Sequence, residues 1–184
     1  MVGVELGGDP KHHEWVHFEP VFQSARESGL KIALHCGELA GVPDEVRGMI
    51  DFKPERLGHC IMLPHDDGLI DYLHESKIPV EVCMTSNLIT ESVKTYNDHP
   101  VLEWVKRGHP ISINTDDKLF FRSDASREHQ VFAQYCNQTR EDLFKLTENA
   151  IEQTFLDEDG KQRLRDLVAR RRVELLSTGC PKQN

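Results

Sequence analysis

The sequence lacks any stretch approaching the ~20 consecutive apolar residues that a membrane span requires, which excludes a helical membrane protein. Its first residues, Met1 to Leu6, lack the basic n-region and the apolar h-region of a secretory leader. No C-x-x-C occurs, and the cysteines (Cys36, Cys60, Cys83, Cys136 and Cys180) are odd in number. Together these absences point to reduced thiols in the cytoplasm rather than a disulfide framework. Basic residues are scarce: 22 Lys and Arg stand against 31 Asp and Glu, a formal charge of −9 that disfavours a nucleic-acid surface. The dinucleotide fingerprint G-x-G-x-x-G and the phosphate loop G-x-x-x-x-G-K-[ST] are both missing, which removes the commonest nucleotide-binding open sheets. Low-complexity linkers and internal repeats are also absent, so residues 1–184 are expected to form a single domain, or a large piece of one.

What is present is a repeat of strand and helix signals. Short apolar runs at 2–6, 31–35, 56–59, 79–82 and 111–114 read as buried strands. Helical stretches are expected at 18–28, 43–50, 67–75 and 101–107, with Gly29 and Gly108 as natural stops and Pro43 in a first turn. One strand and one helix about every 30 residues is the pattern of parallel βαβ units. Beyond Asp117 the chain turns helical, at 127–137, 140–155 and 161–176. The basic cluster Lys161, Arg163, Arg165, Arg170, Arg171 and Arg172 reads as the solvated face of that last helix.

Each strand signal ends in a polar or small cluster: Gly7-Gly8-Asp9, His35-Cys36-Gly37-Glu38, Gly58-His59, Thr85-Ser86-Asn87 and Thr115-Asp116-Asp117. A closed (β/α)8 TIM barrel brings such clusters to one rim, the C-terminal ends of its strands. An open doubly wound sheet gathers its ligand residues at a single switch point instead. Neutral imidazole suits zinc, and a buried carboxyl beside it holds a proton near neutrality. Taken singly, His35 and His59 read equally as core histidines, and Asp116-Asp117 as a helix cap. At successive strand ends of one sheet they converge in space. Cys36, Cys60 and Cys83 at the same ends read as small buried hydrophobes rather than metal ligands.

The ordered series Leu34-His35-Cys36-Gly37-Glu38, Arg56-Leu57-Gly58-His59, Val82-Cys83-Met84-Thr85-Ser86-Asn87 and Asn114-Thr115-Asp116-Asp117 resembles the adenosine and AMP deaminase superfamily. The likeness spans nearly the whole chain. Lys118, Thr85 and the run Asp51-Phe52-Lys53-Pro54-Glu55-Arg56 are similar to the adenosine deaminase-like branch that acts on N(6)-methyl-AMP. The resemblance implies a metal-dependent hydrolase barrel, of which about five C-terminal βα units stand here. It implies hydrolytic deamination of a 6-amino or 6-methylamino purine nucleoside or nucleoside monophosphate by a cytoplasmic enzyme of purine metabolism. One Zn²⁺ would serve each complete barrel, and the complete barrel would be a monomer. His35 and Asp116 would be metal ligands. Glu38 would protonate purine nitrogen 1, and His59 would orient the attacking water and help take its proton. Asp117 would bind the five-membered ring of the base, and backbone at Gly8 would approach the base edge.

The family takes two further zinc ligands from an H-x-H on its first strand, and no H-x-H occurs here. The expectation is therefore a chain beginning at about the fourth strand, either a fragment of an active enzyme or a truncated half barrel acting by association or nucleotide binding. The segment Phe120-Phe121-Arg122-Ser123-Asp124 follows the family pattern only roughly. A competing signature, His13-Glu14-Trp15-Val16-His17, matches the H-E-x-x-H of zinc proteases. Pro20 follows it closely, which argues against a continuous helix through the motif. The other zinc deaminase class needs P-C-x-x-C, which is absent.

Overall fold

The computed structural model describes residues 1–12, 14–63 and 68–177. Five strands form one sheet: β1 (Gly3–Leu6), β2 (Lys31–Cys36), β3 (Arg56–His59), β4 (Val80–Val82) and β5 (Ile111–Ile113). Every neighbouring pair is parallel, and the spatial order is β1-β2-β3-β4-β5. A doubly wound sheet reverses its order at a switch point. An order that never reverses instead places successive crossover helices on the same face of a curling sheet. The architecture is that of a partial (β/α)8 barrel, as the rim clusters predict.

The register shows which side chains face which way. Leu6, Leu34, Leu57, Val80 and Ile111 are successive partners across the sheet. These residues belong to or pack on the hydrophobic core that the helices cover, with Leu34, Leu57 and Val80 fully buried. Burying each such side chain contributes roughly 1.5–3 kcal/mol. Side chains alternate along a strand, so the next register row, His35, Gly58, Glu81 and Ser112, faces the opposite side. Continuous apolar strands thus supply one face, and the polar interruptions in them supply the other.

The helices are α1 (Trp15–Glu27), α2 (Pro43–Asp51), α3 (Leu69–Ser76), α4 (Met84–Ile89), α5 (Val101–Arg107), α6 (Lys118–Phe121), α7 (Ala125–Tyr135), α8 (Arg140–Glu152) and α9 (Glu158–Ser177). Besides shifts of one to three residues at the ends of other helices, three differ from the sequence expectation. Helix α1 starts before residue 18 and runs through Pro20, because burial of Trp15 and Phe22, with ring centroids 5.9 Å apart, outweighs the one ladder bond that proline removes. Helices α4 and α6 are too short to show a helical period, and Met84 to Asn87 read as a strand-end cluster rather than a helix. The start expected for α3 at 67 lies outside the described residues.

Several cations of α9 are paired. Arg165 pairs with Glu152 and Glu158, and Arg172 pairs with Glu141 and Glu148. The acids come mainly from α8, so the two helices are laced together. Among the described residues, no helix is long and apolar enough to cross a membrane.

Candidate active site

The strand ends assemble one rim. Gly8, His35, His59, Asp116 and Asp117 line a single open cavity of about 650 Å³, a size that suits a small-molecule ligand. Glu38 lines an adjoining narrower recess, to which Gly8 and His35 also contribute. The apolar wall of that recess comes from Trp15, Phe18, Val42 and Met49. All six sequence-predicted site residues are therefore brought to the same end of the sheet.

Backbone conformation does part of the aiming. His59, Cys60 and Asp116 all have left-handed φ, at 63°, 52° and 55°, which L-residues adopt at a cost of order 1–3 kcal/mol each. Cross-links hold the β3 exit in that state: Cys60 N–H donates to the Cys36 carbonyl at 3.0 Å, and Met62 N–H to the Gly37 carbonyl at 2.8 Å. Gly8 has φ +133°, a conformation open to glycine and rarely to other residues. Gly58 has a different role: a Cβ there would lie 2.8 Å from the His35 ring, so its missing side chain is what lets the imidazole lie across β3.

His35 is held between two carboxylates. Its Nε2 is 3.4 Å from Glu5 Oε1 and its Nδ1 is 3.8 Å from Glu38 Oε1. Burial opposes charging of this imidazole, but the hydrogen bond to Glu5 and the charges of Glu38, Glu5 and Asp116 outweigh it and raise its pKa. Burial pushes the Glu38 carboxyl up, against the pull of His35. A raised carboxyl pKa is what a proton donor working near neutrality needs. The His59 ring lies edge-on to that of His35, with centroids 4.6 Å apart. Burial, then the charge of His35, lowers the His59 pKa to about 4, so it is a neutral imidazole at physiological pH. Its Nε2 is 3.8 Å from Asp116 Oδ2, and the same carboxylate oxygen accepts a 2.6 Å hydrogen bond from Ser86 Oγ. Asp117 is exposed at the N-cap of α6 without a side-chain cap bond, so its carboxylate is open to the cavity.

Two groups of ligand-type atoms lie within 4.8 Å of one another: His35, Glu38 and His59, and His59, Cys83 and Asp116. The two residues expected to hold zinc thus fall in different groups, with His59 common to both. Nitrogen, oxygen and sulfur donors at this spacing fit zinc. Cys83 is buried as expected of a small hydrophobe, and burial pushes its thiol far up, although its sulfur stands in the second group.

Glu5, Glu81 and His99 escaped the sequence reading, and Asn87 stood in a strand-end cluster without a role of its own. Glu5 and Glu81 interrupt apolar strands, a signal that marks a polar barrel interior. Glu81 meets Arg56 at 2.9 Å. Asn87 is buried and contacts both His59 and His99. Nothing in the local pattern around His99 points to the site, since it lies 40 residues from His59. The protease signature is described only in part. His13 lies outside the described residues, and Glu14 precedes α1 in extended backbone, so it is not on the helical face that carries His17.

Comparison with known proteins places this geometry in context. The adenosine deaminase family model matches residues 1–171. An N6-mAMP deaminase of Arabidopsis thaliana is 36% identical over 165 residues, covering 90% of this chain and 46% of the relative. An aminodeoxyfutalosine deaminase of Streptomyces coelicolor is 37% identical over 168 residues, covering 91% of this chain and 43% of that one. The crystal structure of Arabidopsis ADAL complexed with IMP superposes with a TM-score of 0.88 at 34% identity, over 92% of this chain and 49% of that one. The chain spans about half the length of the curated relatives it matches.

Proposed function

Since the chain belongs to the adenosine deaminase family, we propose that it carries the deaminating rim of a zinc-dependent purine aminohydrolase. The substrate is a 6-amino or 6-methylamino purine nucleoside or nucleoside monophosphate, and the product is the 6-oxo purine with release of ammonia or methylamine. One observation carries the reading: a carboxyl whose pKa burial raises (Glu38), a neutral buried imidazole (His59) and a hydrogen-bonded carboxylate (Asp116) meet at one rim. The N6-mAMP deaminase name of one relative, and a similar structure that holds IMP, support a monophosphate among these substrates.

His35 and Asp116 are the chain's own metal ligands in this reading, one nitrogen and one oxygen, with further ligands from outside the present sequence. Zinc, when bound, supplies a Lewis acid that lowers the pKa of the water it holds to ~7. Glu38, whose carboxyl pKa burial raises, is the group that gives a proton to purine nitrogen 1 as water attacks carbon 6. The ring then accepts the electron pair, and the leaving amine departs with a proton that the attacking water gives up, its other proton restoring Glu38. His59 orients the attacking water, and Ser86 holds Asp116 in place by donating to Oδ2. Gly8 leaves the base edge unobstructed, since no atom lies within 4 Å of the Cβ position it lacks. Asp117 reaches the other edge of the base.

The test is zinc content and deamination of N(6)-methyl-AMP, AMP and adenosine by the purified protein and its Glu38→Gln variant. Turnover is expected to fall ~10²–10⁴-fold, the usual contribution of a positioned acid, with zinc content unchanged. Equal turnover removes Glu38 from the mechanism. Absence of zinc and turnover in the unaltered protein, with concentration-dependent association, replaces the enzyme reading with a binding one.

A further inference from the structure

Behind His59 runs a hydrogen-bonded relay that reaches the start of α5. The Val101 backbone N–H, left over at the first turn of that helix after Pro100, donates to His99 Nδ1 at 3.1 Å. A backbone N–H can only donate, so His99 Nδ1 is an acceptor and its proton sits on Nε2. His99 Nε2 then donates to Asn87 Oδ1, 3.1 Å away. This fixes which end of the Asn87 amide faces which ring, and its Nδ2 donates to His59 Nδ1 at 3.1 Å. His59 Nδ1 is therefore also an acceptor, and its proton lies on Nε2, the atom directed at Asp116. His59, Asn87 and His99 are all buried, at 4%, 2% and 2% exposure, so water does not compete for these bonds.

We propose that Asn87 and His99 are positioning residues that lock His59 as the Nε2–H tautomer. The backbone of α5 sets the direction of the relay, and two side chains carry it to the rim. The lock has two chemical consequences. His59 cannot bind a metal through Nε2, which removes it from both groups of ligand-type atoms. At the rim it is a hydrogen-bond donor to the attacking oxygen, so this imidazole cannot take the water's proton through Nε2. The inference deepens the functional reading above and rests on it for the second consequence alone.

The experiment is long-range ¹H–¹⁵N NMR of the histidine rings at neutral pH, on the chain and on its Asn87→Asp variant. The unaltered chain is expected to show a pyrrole-like Nε2 and a pyridine-like Nδ1 at His59. A carboxylate can only accept, so Asn87→Asp is expected to move the proton to Nδ1 and invert the pattern. In the active protein, turnover of that variant is expected to fall by up to about 10⁴-fold, the loss that a wrong histidine tautomer brings to a catalytic triad, with KM little changed. A His59 protonated on Nδ1 in the unaltered chain overturns the proposal, even if the variant fails to fold. An unchanged pattern in Asn87→Asp overturns it as well. The NMR outcome does not depend on turnover, so it separates failure of the relay from failure of the deaminase reading.

Discussion

Replacing Gly58 with alanine is expected to displace the His35 ring and to lower the melting temperature. The new Cβ would stand 2.8 Å from His35 Cδ2 and 3.4 Å from its Cα and Cγ. Carbon atoms pack at about 3.5–4.0 Å, so the ring must retreat by roughly 0.7–1.2 Å. It has little room to do so. A Cβ at Gly7, on the other side, would already be 3.1 Å from His35 Cε1, and the His59 ring and Glu5 occupy the remaining flanks. Overpacking of this kind costs about 1–3 kcal/mol. Gly58 does not have positive φ, so alanine adds no backbone strain there, and its lower unfolded-state entropy offsets under ~1 kcal/mol. A net loss of about 2 kcal/mol lowers Tm by ~4–8 °C for a chain of this size. Thermal unfolding followed by circular dichroism, with His35 ring resonances read in parallel, checks both halves. Gly7→Ala is the graded control, expected to cost less than half as much because its contact is longer. The packing account is refuted if Gly58→Ala melts with the unaltered protein and leaves His35 unmoved, or if Gly7→Ala is the more damaging of the two.

Two further outcomes test the structure away from the rim. Burial and the neighbouring charges lower the His109 pKa to about 4, from 6.5 in the open chain, although its Nε2–H donates to the Ile78 carbonyl. Between those values the unfolded chain binds the proton and the folded one does not, so stability falls as pH drops from about 6.5 to 4. Denaturant midpoints across that range should fall less steeply in His109→Gln, and equal slopes would count against a buried neutral His109. Glu128, fully buried on α7, accepts from the Thr85 backbone N–H at 3.1 Å and from Ser123 Oγ, joining α4 to the loop before α7. Glu128→Ala strands both donors and is expected to cost roughly 3 kcal/mol. A change in midpoint below ~0.5 kcal/mol would show that the tie is dispensable.

Much of this molecule was legible in its residues because the signals are periodic and local. Five apolar runs of strand length fix the strands, and the polar cluster closing each run marks the rim. Their order cannot be read locally, but a βαβ repeat without a nucleotide fingerprint already favoured a barrel. His35, Glu38, His59 and Asp116 were findable because each sits at a strand end, where the fold leaves side chains to face a ligand. Helix α4 was not, because six residues carry no helical period and its polar face reads as loop. Continuity of α1 through Pro20 depended on what Trp15 and Phe22 could bury, which propensity does not contain.

The sequence by itself determined the sheet, the direction of its strands and the chemical groups delivered to one end. Only the tertiary structure decided how those groups are charged and oriented. Glu5 beside His35, the bare face of Gly58 beneath that ring, and the path from α5 through His99 and Asn87 to His59 join residues from separate βα units. The physical reason is range. Periodicity reports which face of an element is buried, over a few residues. The protonation state and tautomer of a buried group are set by whichever dipoles the fold brings within about 3 Å, however far along the chain they began.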